Sequence, residues 1–178
     1  MQTAHKFIRP ALAALLLLSL SACVIIINQP SPEEKELLAI QETVSKEMSV
    51  VAASAGSGAS SQNEIDSLIS STKNTVNQAI QRINELKIPE KTRKFADDTV
   101  KYLKSASEIL EKMKTLLADL EKLKQQGASL GQQANTAIQD QIKAVRGTIL
   151  GYQTQINQVT SQLNQAREQI LKLYEKAK

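Results

Sequence analysis

The chain has no tryptophan, one histidine, one cysteine, two phenylalanines and three tyrosines in 178 residues. Each scarcity removes a class of function. A lone cysteine excludes internal disulfides. The single histidine, His5, lies in the leading segment, so the rest of the chain lacks the usual general base and the commonest metal ligand. Aromatic rings for base stacking are missing. Acids and bases are interspersed, and setting aside Lys6 and Arg9 leaves a balance of about +2. A nucleic-acid footprint would need clustered cations, so none is expected. Proline occurs only at positions 10, 30, 32 and 89, and strand-favouring clusters are sparse beside abundant Leu, Ala, Gln and Lys. That composition points to an all-α protein.

The remaining chemistry is thin. Asp97 and Asp98 are neighbours in sequence, which do not face each other on a helix. Glu33 and Glu34 sit where a helix start explains them. No glycine loop follows a strand to cradle phosphate, and no acid-spaced loop suits calcium. The expectation is a protein that is not an enzyme, with no metal, no cofactor and no small-molecule substrate.

What is present begins with the leader. Lys6 and Arg9 precede the small-and-leucine stretch from Ala11 to Leu20. A basic region followed by an apolar run of about ten residues fits a secretory signal. The run closes with Leu20-Ser21-Ala22-Cys23. This "LSAC" resembles the lipobox of bacterial lipoproteins, and the resemblance covers only residues 1–23. It implies cleavage before Cys23, which would become the acylated N terminus. One acyl chain holds a protein only marginally, and this class carries three. Val24 after the cysteine, where Asp would favour inner-membrane retention, implies an outer-membrane location facing the periplasm. The alternative is an uncleaved membrane helix over Ala11 to Ile27, about 17 residues and short for a span. Positive-inside logic would still place the remainder outside the cytoplasm. The expected division is a signal over 1–22, an anchor and tether over 23–31, and a helical bundle over 32–178.

Four helices are predicted, at about 32–53, 62–87, 89–126 and 131–177. Ser31 with Glu34 and Ser61 with Glu64 are capping boxes, and Pro32 suits a first helical position. Leu37, Ile40, Val44, Met48 and Val51 form the first apolar stripe, and Ile65, Ile69, Thr72, Val76, Ile80, Ile83 and Leu86 the second. The third runs through Thr99, Tyr102, Ala106, Ile109, Met113, Leu116, Leu120 and Leu123. It is widened by Leu103, Leu110 and Leu117, which suits a multi-helix bundle. The fourth keeps a seam at three-or-four spacing from Ile138 through Tyr152 and Leu163 to Leu173. The expected architecture is an elongated antiparallel bundle with a long C-terminal coiled-coil hairpin. Whether the first two helices fold back on each other or run end to end is left open by periodicity. "SAGSGASSQ" and "QQGASLGQQ" are the expected connectors.

One surface stands out. From Gly147 to Ala166 the last helix carries no charge. Ala144, Gly147, Gly151, Thr154 and Gln158 form a small, neutral strip opposite the seam. A mid-helix glycine costs up to about 1 kcal/mol relative to Ala, which close approach of another helix would offset. The strip is therefore a solvated face, a dock for one of the first two helices, or a contact for an envelope partner or second copy. Lys172, Lys176 and Lys178 complement a helix C terminus, with anionic lipid as the sharper alternative.

The leading expectation is a non-enzymatic, lipid-anchored envelope protein acting as helical scaffold, spacer or adaptor. The alternative is a periplasmic inhibitor or immunity protein against an exported toxin or hydrolase. A pore-forming role is disfavoured, because no mature segment reaches 12 consecutive apolar residues.

Overall fold

The computed structural model describes residues 29–57, 61–129 and 132–175. The leader, Cys23, Lys176 and Lys178 lie outside the described residues, so the signal and lipobox expectations do too. Four helices make up the described chain: α1 (Pro32–Ser57), α2 (Gln62–Glu85), α3 (Glu90–Ser129) and α4 (Gln132–Glu175).

Both capping boxes form. The Ser31 hydroxyl accepts from the Glu34 N–H at 3.2 Å, and the Ser31 N–H donates to the Glu34 carboxylate at 2.7 Å. Ser61 and Glu64 repeat the pattern at 3.3 and 2.8 Å. Each box satisfies two backbone donors that the helix start leaves open. At the other end of α2 the chain turns extended at Leu86 (φ −70°, ψ 136°). Leu86 and Ile88 then tuck beneath the bundle, both buried, and Pro89 precedes α3. The first and third helices outrun their apolar patterns. α1 continues through Ala53-Ser54-Ala55 and α3 through Gly127, because these small residues still permit helix where no proline stops it.

Successive helices are antiparallel. Arg82 pairs with Glu36 between α2 and α1. Lys114 with Ser70 and Ser107 with Asn77, each at 3.1 Å, set the register of α2 on α3. Arg167 meets Glu42 at 2.9 Å between α4 and α1. Each helix packs on its two neighbours in this ring, while α1 and α3 meet only locally, through side chains across the diagonal. The first two helices therefore fold back on each other, and the result is an up-down-up-down four-helix bundle.

The core follows from this. Leu37, Met48, Ile69, Leu103, Leu110, Met113, Ile156, Leu163 and Ile170 are all essentially inaccessible. Leu103, Leu110 and Leu117 are buried because α3 must face both α2 and α4. The α4 seam leaves the core at its end: Leu173 is 43% exposed, while Tyr174 packs inward. A strict heptad on a straight helix drifts by about 20° per repeat, which turns the next residue toward α1.

At 1.5 Å per residue, α3 and α4 run about 60 and 66 Å, against about 39 and 36 Å for α1 and α2. The start of α2 lies level with Leu117 to Lys124, since the Gln62 side chain donates to the Leu117 carbonyl and accepts from Lys124. From that level on α3 and α4 pair with each other as a two-helix hairpin, closed by Leu120, Ile138 and Ile142.

Candidate functional site

Ala144, Gly147, Gly151, Thr154 and Gln158 all lie exposed on α4. A methyl group placed on Gly147 or Gly151 would meet no atom within 4 Å. Docking of α1 or α2 on this strip is therefore not what the chain does. The physical reason is register and facing. α1 packs on α4 through Arg167 and Tyr174, a different side of the helix. Counting residue for residue from Glu42 opposite Arg167, α1 also ends near the level of Tyr152.

The strip is internally satisfied. Thr148 donates to the Ala144 carbonyl at 3.1 Å and Thr154 to the Leu150 carbonyl at 3.2 Å. Leu150, between the two glycines, is 50% exposed. Shallow clefts between α3 and α4 border the strip. One of about 450 Å³ is lined by Asp119, Lys122, Leu123, Ala144 and Val145. Another, of about 300 Å³, is lined by Lys101, Tyr102, Gln155, Gln158 and Val159. Both are open furrows along a helix pair, and neither gathers the convergent groups of a binding pocket.

A second place gathers more polar chemistry than its sequence position suggests. Glu34 is the most deeply buried acidic residue among the described residues, 1% exposed. Besides capping α1, it accepts from Thr92 at 2.8 Å in the first turn of α3 and from the Tyr174 hydroxyl in the last turn of α4. The Lys91 ammonium lies 4.0 Å away and sits over the Tyr174 ring, 4.3 Å from its centroid. Burial pushes the Glu34 carboxyl up, but the hydrogen bonds from Tyr174, Ser31 and Thr92 and the charge of Lys91 together hold it below the usual carboxylate range. Burial first, and then Glu34 as acceptor and negative neighbour, raise the Tyr174 hydroxyl well above its ordinary value. Both shifts favour an ionised carboxylate that accepts from a protonated phenol. The arrangement is a clasp joining three helices.

Further in, Gln41 donates to the Thr99 hydroxyl at 2.7 Å across the α1–α3 diagonal, and Thr99 donates to the Phe95 carbonyl at 2.7 Å. The Gln41 carbonyl oxygen is buried without a protein partner. Gln41 lies off the sequence stripe, which runs through Ile40; its seven-residue spacing from Glu34 was the available signal. Between α1 and α2 runs an apolar groove of about 290 Å³ lined by Ile40, Val44, Thr75 and Ala79, with the Arg82–Glu36 pair at one end.

The acids and lysines spaced i,i+4 at Glu90/Lys94, Asp97/Lys101 and Glu108/Lys112, a spacing that places them side by side on a helix, do not close within 4.0 Å. The i,i+4 ion pair that does form is Glu42–Lys46, at 2.8 Å. Among the described residues no three metal-ligating side chains come together, and no helix is long and apolar enough to cross a membrane. No family model, curated protein or solved structure matches this chain.

Proposed function

We propose that this protein is a non-enzymatic, lipid-anchored helical scaffold or spacer of a bacterial envelope, held by acyl chains on Cys23 in the outer membrane and facing the periplasm. The observation that carries the reading is the order of the leader: Lys6 and Arg9, the Ala11–Leu20 apolar run, then Leu20-Ser21-Ala22-Cys23. The fold is compatible with it. The described chain starts at the end of the bundle where Glu34, Thr92 and Tyr174 meet. The end of α3 lies at the opposite end, about 60 Å away. A chain anchored through residues 23–31 would thus present the two-helix hairpin away from its membrane. The uncharged α4 face around Gly147 and Gly151 is the surface we assign to a partner of the envelope or to a second copy.

The test is the intact mass of protein extracted from the membranes of a bacterial host. The expected mass is that of residues 23–178 plus acyl groups. A mass matching the full chain would overturn the anchor and make Ala11 to Ile27 a membrane helix.

A further inference from the structure

We draw no further inference here: the strongest candidate, the uncharged face of α4 around Gly147, Leu150 and Gly151, is a stripe of small residues on an unpartnered helix, and nothing in the structure shows what covers it.

Discussion

Tyr174, in the last turn of α4, donates its hydroxyl proton to the carboxylate of Glu34, in the first turn of α1 and 140 residues away in the chain. The same carboxylate holds the Ser31 N–H and the Thr92 hydroxyl. One side chain thus closes the end of the bundle where α1 begins, α3 begins and α4 ends. Removing the phenol as Tyr174→Phe takes away one hydrogen bond to a charged, buried acceptor. The expected loss is about 1.5–3 kcal/mol in urea unfolding, with little change in the m-value. A loss below 0.5 kcal/mol would mean that the clasp is not closed in solution.

Linkage gives this clasp a pH signature. The folded-state pKa of Glu34 is depressed, so its contribution is present above the unfolded value, about 4.3, and is lost as pH falls through the folded value. Tyr174 has the opposite sign. Its folded-state pKa is raised, so its contribution is complete below the ordinary phenol value and fades only in strong alkali. Glu42, Glu64 and Glu111 are also depressed, but they are more exposed and their pairs are screened. Comparing wild type with Glu34→Gln isolates the buried group. The two stabilities should converge as pH falls below the unfolded value of about 4.3 and through the lower folded one. Parallel curves throughout would show that Glu34 does not titrate with folding.

Gln41 illustrates a polar group that the core would do without. Gln41→Met keeps the length of the side chain and removes the unpartnered carbonyl oxygen, while Thr99 retains its bond to Phe95. The lost bond contributes about 1 kcal/mol, and the buried orphan oxygen costs about 1–3 kcal/mol. Gln41→Met is therefore expected to be neutral or stabilising by about 1 kcal/mol. Thermal melts read this directly, and a drop of more than about 4 °C would contradict it.

Leu103 and Leu150 are both leucines on apolar-patterned helices, yet their surroundings differ. Leu103 is inaccessible where α3 faces both neighbours, and Leu150 is half exposed. Leu103→Ala should cost about 2–5 kcal/mol through lost burial and the cavity left behind. Leu150→Ala should stay within about 0.5 kcal/mol in the isolated protein.

Gly147 and Gly151 occupy helix interior with open space where a side chain would go. Gly147→Ala and Gly151→Ala should each stabilise the isolated chain by about 0.5–1 kcal/mol, since alanine loses less backbone freedom on folding. Envelope crosslinking of the same variants reads the surface role. Gain of stability with loss of a crosslink would tie the glycines to a contact. Destabilisation would instead mean that another element packs there.

Cys23→Ser addresses the proposed anchor. The variant is expected to leave the membrane fraction or to accumulate uncleaved, because no helix of the described residues can hold it in a bilayer. Unchanged partition of a normally cleaved chain would exclude acylation as the attachment.

Much of the helical content was legible along the chain, and particular residues show why. Leu37, Ile40, Val44, Met48 and Val51 recur at three-or-four spacing, and all but the half-buried Ile40 are buried. Ser61 and Glu64 cap α2 through contacts three residues apart, well within reach of local pattern. Thr72 and Thr99 sit inside apolar stripes and are buried as the stripes imply. Legibility failed where one residue serves a neighbour distant in sequence. Glu34 carried a complete local explanation as a capping acid, so nothing in the pattern announced Thr92 or Tyr174. Leu173 continued a regular seam and still came out exposed, since the seam drifts around the helix and α1 takes the adjacent side. The glycine strip was visible as a lack of charge, but its openness depended on where α1 ends.

The sequence by itself determined that this chain makes amphipathic helices, where two of them start, and that they pair by burying one stripe each. Those properties depend on backbone propensity, capping and a period of 3.6 residues, all of which act over a few residues. Only the tertiary structure decided that α1 and α2 fold back into a ring with α3 and α4, that Glu34 becomes the buried clasp of that ring, and that the Gly147–Gly151 face stays open. Those outcomes depend on interhelical register, which is set by the summed packing of stripes far apart in the chain and so has no local signature.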